Sequence, residues 1–77
     1  MSTKQKQTEI YIQENMDAIK RSWLVDILER KAGIISAWFD RNNHHNLIIL
    51  FERNKFSDNK LLNAVKGYGC HAKIVHA

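Results

Sequence analysis

Proline is absent from this 77-residue chain, cysteine occurs once and glycine three times, and no apolar run is long. Each shortage excludes something. A single thiol, Cys70, cannot close an intramolecular disulfide, so the chain must hold together through its core alone. One unpaired cysteine also suits a reducing compartment. Without proline or a Gly/Ser-rich stretch, no linker divides the sequence. No run approaches the roughly 18 apolar residues that a membrane span requires, and the N-terminus lacks the apolar core of a secretory signal. The reading is one soluble, cytoplasmic domain, either a whole protein or a piece of a longer one.

Charge of one sign is also missing. Lys and Arg outnumber Asp and Glu by 12 to 8, for a net charge of +4, and the pI is near 9.5. Such a balance would suit an anionic partner. The basic residues are interleaved with acids, however, along Lys20, Arg21, Asp26, Glu29, Arg30 and Lys31, and again along Glu52, Arg53, Lys55, Asp58 and Lys60. That pattern describes a solvated surface better than a nucleic-acid patch.

What is present is periodicity. Gly33 to Glu52 holds two β-branched and aromatic runs around an Asn-Asn-His-His-Asn tip, which predicts a hairpin with strands over Ile34–Asp40 and Leu47–Glu52. Upstream, Met1–Gln7 is rich in Lys, Gln, Ser and Thr and reads as a flexible leader to a domain over residues 8–77. Thr8–Gln13 alternates, with Ile10 and Ile12 facing one way and Tyr11 and Gln13 the other. Asn15 or Asp17 can cap a helix over Met16–Lys31, whose apolar stripe is Ile19, Trp23 or Leu24, Ile27 and Leu28. Gly33 suits the exit from that helix. Ser57 caps a second helix carrying Leu61, Leu62, Val65 and Tyr68, Gly69 stops it, and Ala72–His76 reads as an edge strand. The economical packing of this order is an α+β, ferredoxin-like βαββαβ fold, with two helices on one face of a four-stranded antiparallel sheet.

The segment Gly33-Ile34-Ile35-Ser36-Ala37-Trp38-Phe39-Asp40 resembles the Gly-Val-x-x-Ala-x-Val-Asn stretch that opens the second strand of heavy-metal-associated domains, the modules of copper chaperones and metal-pumping ATPases. Ser57 to Val75 runs alongside that family's second helix and last strand, with Leu61, Ala64 and Val65 at its core positions. Gly69, Cys70 and Ala72 fall where the family has Gly, an aromatic and Ala. The resemblance spans most of residues 9–76 and implies the same fold and a role in metal handling. The family's Cys-x-x-Cys is not here: the region reads Glu14-Asn15-Met16-Asp17-Ala18-Ile19, and only Met16 matches the flanking motif. No metal-ligand residue therefore transfers from it.

In this topology the first strand-to-helix loop, the hairpin tip and the loop entering the last strand lie at one end of the sheet. They hold Met16, Asp17, His44, His45, Cys70 and His71. We take Met16, His44, His45, Cys70 and His71 as candidate ligands for a transition metal ion, Cu, Zn or Ni. The alternative is that the tip is a polar turn and Cys70 a small buried hydrophobe. Adjacent histidines in a strand or tight turn point apart, which hinders joint chelation.

With Ala37, Phe39, Leu47, Ile49 and Phe51 toward the helices, period two puts Trp38, Ile48 and Leu50 on the open sheet face, joined by Tyr11. Large apolar side chains there suggest a contact surface for a homodimer or a partner protein. A register shifted by one would instead bury Trp38. Ile10-Tyr11-Ile12-Gln13-Glu14-Asn15 also resembles the first-strand motif of RNA-recognition domains, whose aromatic stacks on a base. The matching third-strand segment, His45 to Phe51, has no glycine or basic residue at the required places, which makes RNA the weaker partner. Asp17, Asp26, Asp40 and Glu52 sit on separate elements, and no Gly-rich phosphate loop is present, so the domain reads as non-enzymatic. Two functions remain: a metal-binding or metal-sensing module with non-standard ligands, or a protein-interaction module on a scaffold that has lost its metal.

Overall fold

Alternating burial and two side-chain caps dictate the elements. The computed structural model describes residues 4–75. They form β1 (Gln5–Ile12), α1 (Ala18–Glu29), β2 (Ile34–Phe39), β3 (Asn46–Glu52), α2 (Asp58–Lys66) and β4 (Ala72–Ile74). The sheet order is β2-β3-β1-β4 with every pair antiparallel, the ferredoxin-like βαββαβ arrangement. Asp17 caps α1 by accepting from the Lys20 N–H at 2.8 Å, and Ser57 caps α2 by accepting from the Lys60 N–H at 3.3 Å. Of the two possible caps of the first helix, Asn15 and Asp17, it is Asp17 that serves.

The core lies between sheet and helices. Ile10 and Ile12 of β1, Leu47, Ile49 and Phe51 of β3, Leu24 and Leu28 of α1, and Leu61 and Val65 of α2 are all essentially inaccessible. Ala37 is buried and Phe39 partly so, while Trp38 is 39% exposed. The alternative register that would bury Trp38 is thereby excluded. Among the described residues no helix is long and apolar enough to cross a membrane.

Four expectations are corrected. β1 begins at Gln5 rather than Thr8: Gln5, Lys6 and Gln7, expected in the leader, pair with Glu52, Phe51 and Leu50. Ladder hydrogen bonds are backbone bonds, so polar side chains give no sign of them. Residues 1–3 of that leader lie outside the described residues, as does His76 of the expected last strand. α1 is shorter than Met16–Lys31, and Ile19 and Trp23 are 81% and 50% exposed instead of lining its apolar stripe. Helical geometry explains this, because Ile19 sits about 140° around the helix from Leu24 and Trp23 about 100°. α2 gives way at Gly67, its C-cap, two residues before Gly69. β2 also carries a register irregularity between Ile34 and Ser36, where Ile35 has no partner of its own between the Ile34–Phe51 and Ser36–Leu50 pairs. The irregularity is a bulge, and it turns Ile35, which strict alternation would bury, outward to 40% exposure.

Gly33 and Gly69 have φ of +99° and +90°. A Cβ on Gly33 would lie 2.8 Å from Lys55 Cβ, whereas one on Gly69 would meet nothing within 4 Å. Gly69→Ala should therefore cost only backbone strain, about 1 kcal/mol, and Gly33→Ala should cost more, about 2–3 kcal/mol, because steric displacement adds to that strain. Urea denaturation checks this ordering: the midpoint should fall further for Gly33→Ala, at an unchanged m-value.

Candidate functional site

Two regions hold the residues singled out from the sequence: the loop end of the sheet and its open face. At the loop end the backbone brings the three expected loops together. Ile12 N–H donates to the His45 carbonyl at 2.7 Å, and Gln13 N–H donates to the His71 carbonyl at 2.8 Å. The end of β1 thus lies between the hairpin tip and the loop entering β4.

Their side chains nevertheless separate. His44 is exposed in the tip. The tip itself is a polar turn, in which Asn42 N–H donates to Asp40 Oδ1 at 2.9 Å and His45 N–H to Asn43 Oδ1 at 3.0 Å. His45 stacks on Tyr11, centroids 5.4 Å apart, and sets its Nδ1 2.7 Å from the Ile12 carbonyl. His71 turns to Glu14, with Nδ1 2.6 Å from Oε2, while its backbone N–H donates to both carboxylate oxygens at 2.9 and 3.1 Å. Cys70 and Met16 lie toward the helices, lining one cavity of about 90 Å³ together with Trp23, Leu24 and Tyr68.

Among the described residues no three or more His, Cys, Asp or Glu side chains come together in a way that could hold a metal ion. The donor chemistry agrees with the geometry. Burial, and secondarily the nearby Glu14 charge, pushes the Cys70 thiol above its ordinary pKa, which disfavours the thiolate that soft metals need. His45 and His71 each commit Nδ1 to a protein oxygen, leaving only Nε2. The residues present do not fit a closed three- or four-ligand centre.

The open face is better built. Trp38 is paired with Ile48, and Leu50 lies opposite the Ile35–Ser36 bulge. Ile48 and Leu50 are partly buried, and Ile35 and Trp38 are exposed. These four apolar side chains cover the β2–β3 half. The β1–β4 half is polar: Tyr11 pairs with Lys73, whose ammonium is 5.6 Å from the ring centroid. Engaged by His45 and Lys73, Tyr11 is not a free platform for base stacking. A second apolar patch, on α1, consists of Ile19 and Trp23, with Trp23 set edge-on to Tyr68 at 5.7 Å.

Sequence reasoning missed three of these features: Ile35 on the face, the Glu14–His71 tie, and the Ile19–Trp23 patch. The first needs the bulge and the second a contact between residues 57 apart, neither of which has a local sequence signal. The third was legible from helical angle alone. Comparison with protein-family models finds no match to this chain, and comparison with curated proteins finds none either.

The tie makes pH a probe. The His71 side-chain hydrogen bond, followed by its backbone N–H, holds the Glu14 carboxyl below its ordinary pKa. A depressed carboxylate contributes stability above its unfolded pKa and loses it as pH falls through the lower folded value. Carbon-detected NMR should show Glu14 titrating below about 4.3, the ordinary glutamate value. The His71 amide shift should move with it, and in Glu14→Gln that acid-range movement should vanish.

Proposed function

We propose that this domain is a non-enzymatic interaction module that self-associates through the open face of its sheet. The observation that carries the reading is the apolar quartet of Ile35, Trp38, Ile48 and Leu50 on a face that no helix among the described residues covers. Burying such a surface is favourable by about 25 cal/mol per Å² of apolar area, and two copies bury twice the area of one.

Area sets the expected strength. Strands about 4.8 Å apart and a rise of about 3.4 Å per residue give the face a footprint of roughly 19 by 24 Å. Two such faces bury on the order of 1,000 Å², the lower end for a specific interface. Ile19 and Trp23 support an interface less well, because they sit on a convex helix and Trp23 already packs on Tyr68.

Metal handling is the second reading. It is supported by Met16 and Cys70 lining a single small cavity, two soft sulfur donors of the kind that suit Cu(I) better than Zn or Ni. Cu(I) titration under reducing conditions tests it: the Met16 methyl resonance should shift at one equivalent, and its constancy would exclude this site.

Sedimentation equilibrium tests the main reading. Wild type should dimerise with a Kd on the order of 10 µM, as befits an interface of this size, and Trp38→Lys should remain monomeric and folded. A wild type that stays monomeric up to about 1 mM would overturn the proposal. Trp38 also reports directly: in Trp23→Phe it is the only indole, and its emission should shift to the blue with rising protein concentration.

A further inference from the structure

The sheet has two edges, and they are treated differently. β2 is guarded. Asp40 N–H donates to the Asn46 carbonyl at 2.9 Å, so by the antiparallel alternation Ala37 and Phe39 turn their backbone groups outward. The outward N–H of Ala37 is taken by Glu29 Oε2 at 3.0 Å, from α1. The bulge between Ile34 and Ser36 further spoils this edge for pairing.

β4 has no such guard among the described residues. Val75 N–H donates to the Glu9 carbonyl at 2.9 Å, and Gln13 N–H donates to the His71 carbonyl at 2.8 Å. Residues 71, 73 and 75 therefore bond toward β1, while Ala72 and Ile74 turn their N–H and C=O groups outward. Alongside lies a concavity of about 670 Å³, lined by Tyr11 and Lys73 from the sheet, by His71 from the loop before β4 and by Lys66 from the end of α2. No acid lines it. The neighbouring carboxylates are occupied, Glu14 by His71 and Glu9 by the Asn46 amide.

We infer that the β4 edge receives an extended acidic peptide, which adds as a fifth strand by pairing with Ala72 and Ile74 while its carboxylates meet Lys66 and Lys73. Charge selects this occupant over a second copy of the chain. In a two-fold β4–β4 pairing centred on Lys73, the two Lys73 side chains would stand directly opposite, and like charges so placed repel. The short strand supplies few backbone bonds, so recognition leans on the lysines. This surface shares Tyr11 and Lys73 with the polar half of the open face but lies apart from the apolar Ile35, Trp38, Ile48 and Leu50 quartet, and neither proposal rests on the other.

The test uses the full chain and three blocked peptides: alternating Glu/Val, alternating Lys/Val, and the Glu/Val peptide with alternate amides N-methylated. The Glu/Val peptide should shift the Ala72 and Ile74 amide resonances and slow their exchange with solvent. Its affinity should weaken about tenfold in the Lys66→Glu, Lys73→Glu double variant and fall with added salt, as screened charge pairs do. The N-methylated and Lys/Val peptides should not bind. The inference is overturned if the Glu/Val peptide leaves those amides unmoved at about 1 mM, if either control binds as well, or if the shifts follow protein concentration rather than peptide. Ala72→Pro removes an outward donor at the edge and should abolish peptide binding. Retained binding in that variant with an unchanged fold would also overturn it.

Discussion

The structure depends on the register of β3. That strand is paired on both sides, to β1 and to β2, and its side chains alternate without interruption. Leu47, Ile49 and Phe51 enter the core, while Ile48 and Leu50 face away from the helices. A slip of one residue would exchange the two sets and bury neither properly. Because the alternate positions are themselves apolar, the register that builds the core also builds an apolar outer face. One constraint thus produces both the fold's stability and its most distinctive surface.

The edges and the loop end follow from that arrangement. With β3 and β1 in the middle, β2 and β4 are left as edges. Glu29 and the bulge close the first against pairing, and β4 has no such guard among the described residues. At the loop end, Glu14 and His71 tie the β1–α1 loop to the loop before β4, and His45 lies against Tyr11 and the end of β1. Of the histidines that invite a metal reading, His45 and His71 are engaged in holding loops together, and burial pushes the Cys70 thiol pKa up.

Much of the fold was legible because its determinants are local. Alternation in Leu47–Glu52, the Ser57 cap and the Leu61–Val65 spacing each act within a few residues, and together they give the element order. The open-face residues Tyr11, Trp38, Ile48 and Leu50 follow from the same period of two. Ile35 did not, because a bulge is a property of the pairing between two strands rather than of either alone. The N-terminal extension of β1 was hidden because its polar side chains are exposed and its bonds are backbone bonds. The candidate metal cluster illustrates a different limit. Topology correctly brought its loops to one end, but where each side chain points depends on partners such as Glu14 and the Ile12 carbonyl, which no spacing rule supplies.

The central claim is that the open face is a self-association surface. An isotope-filtered NOE experiment on a mixture of labelled and unlabelled chains reads it residue by residue. The account predicts intermolecular contacts between the Trp38 ring of one copy and the Ile35, Ile48 or Leu50 methyl groups of another. Intermolecular contacts confined to Ile19 and Trp23, or none at a concentration where the chain is dimeric, would contradict it.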